Sequence, residues 1–203
     1  MTLSDLLKTD TPDREAIADF LNGLPALDQV REVRSLSVKM VHRCWAVFEP
    51  GETIGLDHLV PTEHPADKAV HHMGVNTLPV FRHFEKRFTR APGNPDEIWG
   101  YNHQTFAWLT GPGSFVVHEK GFDNEDALFI DYRSIPEGTV AGWPAPKSND
   151  KGIAKLVYGG MQDYMRKVSD RVSVGRAFTL VKTAANHLCW CVRTKIQAGH
   201  RVY

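Results

Sequence analysis

Apolar positions recur at helical spacing through the first fifty residues. Ala16, Ile17, Phe20, Leu21 and Leu24 fall on one helical face. Thr11-Pro12 ahead of them reads as an N-cap followed by proline at the first helical position, and Gly23 and Pro25 end the pattern. A second pattern runs from Pro25 through Leu27, Val30, Val33, Met40, Val41, Cys44, Trp45 and Phe48. It fits one long amphipathic helix or two in series, with a weaker strand reading where Leu36, Val38 and Met40 alternate. Residues 51–77 carry no period, and a loop of that length in a compact domain is usually functional or ordered by packing. Leu78-Pro79 then opens a third predicted helix. Val80, Phe81, Phe84 and Phe88 share one of its faces; Arg82, Glu85, Lys86 and Arg87 lie mostly on the other.

From Ile98 the period switches to two, which predicts strands near 98–103, 105–110, 114–119 and 127–134. Gly111-Pro112-Gly113 has the chemistry of a type II turn, with proline at the first central position and glycine at the second. Links this short force antiparallel pairing. A fourth helix is predicted over 151–168, from Val157, Met161, Tyr164, Met165 and Val168, and two last strands over 172–181 and 187–195. The fold class is α+β. An N-terminal helical segment, 1–50, precedes a curved antiparallel β-meander or small, lipocalin-like β-barrel, 51–203, with a helix inserted before the last hairpin. The two are expected to form one compact unit. Closing the sheet would remove its edges and leave an interior that holds side chains or one small ligand.

Composition narrows the classes. The chain is 42% hydrophobic and 24% charged, ordinary for a soluble globular protein. Lys plus Arg equals Asp plus Glu at 24 each, so no global field draws nucleic acid or an anionic membrane. Lys86-Arg87 with Arg90 is the one dense local cluster of positive charge near the middle. Three cysteines, Cys44, Cys189 and Cys191, do not make a disulfide framework. The N-terminus has no apolar signal region, and no run approaches the ~20 apolar residues of a membrane span, so the expectation is a soluble, cytoplasmic protein.

Leu156–Arg176, LVYGGMQDYMRKVSDRVSVGR, carries Tyr158, Asp163-Tyr164, Lys167-Val168 and Gly175. This spacing resembles a segment of bacterial proteins that pair a GXWXG domain with a DUF4334 domain. Phe84-Glu85-Lys86-Arg87-Phe88 looks like the GKRF of that family, and the apolar HLCWCVRTK stretch falls where the family ends in a similar strand. The resemblance extends over 74–195. The Gly-x-Trp-x-Gly motif itself is absent, since Trp45 and Trp99 lack those flanks. It implies a lipocalin-like barrel of unassigned role and carries over no catalytic residue.

The candidate chemistry centres on rings. Trp99, Tyr101, His103, Phe106, Trp108, Phe115, Phe129, Tyr132, Tyr158 and Met161 are the candidate ligand-binding residues. Buried Trp and Tyr need partners for N–H and O–H, so such a wall is more polar than a plain core requires. Ten histidines, seven of them between 58 and 118, show no diagnostic metal spacing, and His71 and His72 would face opposite sides of a strand. No metal or cofactor is predicted, though abundance alone leaves room for haem on one of these histidines. Cys189-Trp190-Cys191 reads as part of a strand rather than a redox motif. The first functional expectation is a binding protein for a small, mostly apolar molecule held inside the sheet. The second is a small isomerase, dehydratase or hydrolase with His103 and Asp131 as acid and base. The third is an interaction module docking through its N-terminal helices, exposed as an apolar stripe over 26–48. Homo-oligomerisation is left open.

Overall fold

A computed structural model of the chain describes residues 1–49, 51–65, 68–79, 81–103, 111–120, 126–179 and 188–194. Six helices and eight strands lie among them. The helices are α1 (Leu3–Lys8), α2 (Arg14–Asn22), α3 (Ala26–Arg34), α4 (Val38–Phe48), α5 (Leu56–Leu59) and α6 (Gly152–Tyr158). The strands are β1 (Val70–Asn76), β2 (His83–Ala91), β3 (Asn94–Asn102), β4 (Ser114–Lys120), β5 (Asp126–Asp131), β6 (Met161–Lys167), β7 (Val172–Thr179) and β8 (Leu188–Thr194). Every strand pairs antiparallel with its sequence neighbour, and β1 pairs with β8, so the sheet closes into a barrel. Closure leaves no free edge.

The helices start where short polar side chains satisfy the first free N–H groups. Asp13 caps α2 by accepting from the Glu15 and Ala16 amides, so the helix opens two residues later than Thr11-Pro12 suggests. The long apolar pattern from Pro25 resolves into two helices in series. α3 ends at Ser35, and the Ser37 side chain accepts from Met40 N to begin α4. The apolar faces of α1–α4 pack against the outer wall of β1, β7 and β8. Val30, Val33, Met40, Val41, Cys44, Trp45 and Phe48 share one core with Met73, Val75, Val172, Val174 and Val192. The stripe over 26–48 is therefore covered by this chain's own barrel; only Leu27 and Val38 among its large apolar residues are exposed.

A second core fills the lumen. Val70, Phe88, Ile98, Phe115, Val117, Leu128, Ile130, Tyr132 and Met165 point inward, joined by Ile54, Leu59 and Val60 from the segment around α5. That segment plugs one end of the barrel. It is tied there by polar side chains: His72 Nε2–H donates to Leu59 O at 2.9 Å, and Arg90 Nη2 to Val60 O at 2.8 Å. Arg193 Nη1 adds bonds to Asp57 O and His58 O at 2.7 and 2.9 Å.

Four sequence expectations change. The helix predicted from Leu78 is strand β2, because Phe84, Lys86 and Phe88 alternate inward and Lys86, which reads as surface, is buried. The helix predicted over 151–168 is the short α6 followed by β6. Gly159-Gly160 separates them, with Gly160 at φ +68°, which breaks the helix. The aperiodic 51–77 contains α5 and β1. The six expected strands are eight, and α6 precedes three strands rather than one hairpin. The strand expected at 105–110 lies outside the described residues. Gly113 does take the positive φ, +55°, that the turn reading requires, and a Cβ there would stand 2.6 Å from Tyr158 Cζ.

Gly100 sets how closely the lumen packs. An added Cβ would collide with the Phe115 ring and come within 2.7 Å of Arg87 O. Gly100→Ala should lower stability by about 1–3 kcal/mol in urea denaturation, the usual range for overpacking. In a Phe115→Leu background the same change should cost less, since the ring it strikes is gone. An equal cost in both backgrounds would place the strain elsewhere.

Candidate functional site

Parity divides the predicted ring wall. β3 turns Ile98, Gly100 and Asn102 inward, and so Trp99, Tyr101 and His103 outward. Phe115, Tyr132 and Tyr158 belong to the lumen core, and Met161 packs against it. Phe129 faces out, stacked on Tyr164 with centroids 5.7 Å apart and near His118 at 5.4 Å. Phe106 and Trp108 lie outside the described residues. The eight described candidates thus fall on two surfaces.

On the outer wall, the 133–149 loop lies over β3. Trp143 meets Tyr101 edge-on with centroids 4.8 Å apart, and Pro136, Gly138, Val140, Pro144 and Pro146 complete a cleft against Trp99. Its free volume is about 10 Å³, room for one water. Asn149 anchors the loop, donating to Ser114 O at 2.8 Å and Tyr132 O at 2.7 Å. Beside the cleft, Glu85 accepts from Arg87 Nε at 2.7 Å and is bonded to His71 Nδ1 at 2.8 Å. Burial pushes this carboxyl up, but the bonds from His71 and Arg87 outweigh it and hold its pKa at about 2. Arg87 also donates to Tyr101 Oη at 3.2 Å.

His103 and Asp131 both lie on this outer wall and do not meet. His103 is exposed and interacts with Glu85, Arg87, His71 and Tyr101. Asp131 is held by both ends of Arg133, at 3.0 and 2.9 Å, and by Gln162 at 3.4 Å. Burial favours its neutral form, yet Arg133 outweighs that and lowers its pKa. It is an ion-paired strand-end carboxylate, not a poised base.

The lumen holds the more telling polar set. Lys86 on β2 and Asp163 on β6 stand on opposite sides of the barrel and form an ion pair across it, each side chain 5% exposed. Lys86 Nζ lies 5.7, 5.9 and 5.5 Å from the ring centroids of Phe84, Phe115 and Tyr132. The Tyr132 hydroxyl bonds to Lys86 and accepts from Asn102 Nδ2 at 3.3 Å; burial pushes its pKa well up. Tyr158 stacks on Tyr132 at 5.4 Å and 7°. Burying an ion pair costs desolvation that its attraction barely returns, so this pair is weak evidence for stability.

The two barrel ends differ. Around the α5 plug the inner residues are sealed: Val70, Phe88, Ile98, Ile130 and Met165 expose 0–1%. Towards the opposite end Asn76, Phe84 and Met161 are half-buried, and Ala177 and Asn102 keep 5% and 8% exposure. The ion pair sits at the floor of that looser end. Exposed apolar side chains among the described residues include Phe81 on the β1–β2 turn and Ile153, Leu156 and Val157 on α6, which leads into β6.

Lys86, Asp163, Asn102 and His72 were missed as site residues. Lys86 read as part of a basic cluster and Asp163 as a solvated helix face. The cluster does not exist as a patch, since Lys86 and Arg90 point inward and Arg87 outward to Glu85. The available signal was period two: Phe84-x-Lys86-x-Phe88 and Met161-x-Asp163-x-Met165 each place a charge among inward apolar residues. His72 and His58 are the imidazoles beside the plug. Among the described residues no group of three or more His, Cys, Asp or Glu converges.

The fold and lumen define an eight-stranded up-and-down barrel with a buried ion pair beneath its looser end. Comparisons of the chain with protein-family models, curated proteins and solved structures found no match. No helix among the described residues is long and apolar enough to cross a membrane.

His58 and His72 make stability pH-dependent. Burial, first, and nearby cations lower their pKa values from 6.5 to about 4 and about 3. The unfolded chain therefore binds more protons below pH 6.5, and stability should fall on acidification by about 1.4 kcal/mol per pH unit for each histidine. Glu85 adds its own loss only below its ordinary value of 4.5. Urea denaturation at pH 7, 6 and 5 should show this slope, and His72→Phe should reduce it. An unchanged slope in His72→Phe would remove that histidine as a source.

Proposed function

We propose that this chain is a binding protein for a small, mostly apolar molecule held inside the barrel, entering at the end away from α5. The single observation that carries this reading is the Lys86–Asp163 pair, buried among Phe84, Phe115 and Tyr132 towards the end away from α5. A few placed polar groups in an apolar, aromatic recess are the usual construction of a small-molecule site. The half-buried Phe84 and Met161 supply hydrocarbon surface along the entry route. Of the residues first expected to bind, Phe115, Tyr132, Tyr158 and Met161 keep that role; Trp99, Tyr101, His103 and Phe129 do not face this recess. An acid–base enzyme built on His103 and Asp131 has no support, because Asp131 is committed to Arg133.

The neutral fluorophore N-phenyl-1-naphthylamine should bind saturably, one per chain, with enhanced emission. Ala177→Phe, which fills the inner wall opposite Asp163 on the neighbouring strand, should weaken binding at least tenfold while the melting temperature stays within a few degrees. If that variant loses its fold, Met161→Trp provides the same block. Unchanged affinity in a folded variant, or no saturable binding to the parent chain, overturns the reading.

A further inference from the structure

We propose that α6 docks the barrel onto an anionic lipid bilayer, with Leu156 entering the hydrocarbon and Lys147, Lys151 and Lys155 meeting the head groups. This is an interaction surface, separate from the lumen and independent of what the lumen holds.

The apolar side of the patch follows from how α6 is seated. Ala154 and Tyr158 pack on the lumen core, and Tyr158 stacks on Tyr132. That contact fixes the helix and turns another face to water. Ile153, Leu156 and Val157 stand at i, i+3 and i+4, so they share that face. All three are exposed, and Leu156 is 86% exposed, so it projects from the surface instead of lying in a groove. Successive strands run in opposite directions, which places the start of β6, where α6 leads, and the β1–β2 turn at the same end of the barrel. Phe81 on that turn is 69% exposed. This is the end away from α5.

Charge identifies the occupant. Lys147, Lys151 and Lys155 are exposed in or just ahead of α6. Among the described residues the ion-paired lysines are Lys8, Lys86 and Lys167, so these three face no acid partner. From Lys147 to Val157 three lysines stand against one acid, Asp150, a local charge of +2 on a chain whose net charge is zero. Exposed aliphatic side chains flanked by lysines suit the interface of an anionic bilayer: the hydrocarbon is buried and the ammonium groups remain among the phosphates. Each lysine held near such a surface strengthens binding about fivefold. A second copy of the chain fits less well. Three aliphatic side chains fall short of the roughly 800 Å² per partner of a stable protein interface, and a twofold axis through α6 would set its lysines against one another.

The test is co-sedimentation of the full chain with vesicles of phosphatidylcholine alone and of phosphatidylcholine mixed equally with phosphatidylserine. The mixed vesicles should bind at least tenfold more tightly, and added salt should weaken that binding. Leu156→Ser, and separately Lys151→Gln with Lys155→Gln, should each lower affinity for the mixed vesicles at least fivefold with the melting temperature unchanged. Ile153→Ser serves in place of Leu156→Ser if that variant does not fold. No binding to the mixed vesicles, equal binding to both compositions, or a folded variant of either kind that keeps the parent affinity overturns the proposal. A parent chain that dimerises in sedimentation velocity, ignores vesicles and becomes monomeric as Leu156→Ser assigns the patch to a second copy and overturns it too.

Discussion

Closure of β1 against β8 is the constraint on which the rest of this structure depends. Once β1 is paired on both sides, a slip of one residue in any strand would exchange its inner and outer faces, and all eight strands must agree. The agreement is visible in the two cores. Met73, Val75, Val172, Val174 and Val192 meet the helices outside, while their sequence neighbours line the lumen. The helices α1–α4 are thus not a separate platform. Their apolar faces are spent on the one part of the barrel wall whose outer side is also apolar, and neither surface could remain open to water cheaply.

The same closure brings Lys86 and Asp163 together. β2 and β6 are not neighbours in the sheet, so their side chains reach each other only through the lumen. A small barrel closed at one end by Ile54, Leu59 and Val60 has limited means to pay for two buried charges, and the Tyr132 hydroxyl, Asn102 and three aromatic faces around Lys86 offset part of that cost. The plug end uses a different device. There the polar side chains His72, Arg90 and Arg193 are turned to backbone carbonyl groups of 57–60, which hold an irregular segment in place and satisfy it at once. One end of the lumen is stitched shut and the other keeps residual exposure over a polar floor. That asymmetry, rather than any single residue, is what makes the interior resemble a site.

The ring-rich stretch from Ile98 illustrates how far a sequence pattern reaches. Period two identified a strand, and Gly113 a turn with positive φ. Which face of that strand is inner was not readable, because Trp99-x-Tyr101-x-His103 and Ile98-x-Gly100-x-Asn102 both alternate plausibly. The structure turns the larger rings outward beneath the Trp143 loop, and leaves glycine inside, where Phe115 needs the room. β2 and β6 failed as helices for a related reason. Phe81, Phe84 and Phe88 recur at intervals of three and four, and Met161 and Met165 stand four apart; a spacing of four suits one helical face and one strand face alike, and the inward charge between them argued for a surface.

The amino-acid pattern alone therefore determined the α+β class, the antiparallel order of neighbouring strands, the helical N-terminus and a closed or strongly curved sheet, since local spacing, breakers and short links carry that information. Tertiary structure alone decided strand parity, the covering of the N-terminal stripe, and the pairing of a lysine and an aspartate 77 positions apart. These depend on which distant segment arrives opposite a side chain. A charge looks like surface until its partner, placed by closure of the barrel, makes it affordable inside.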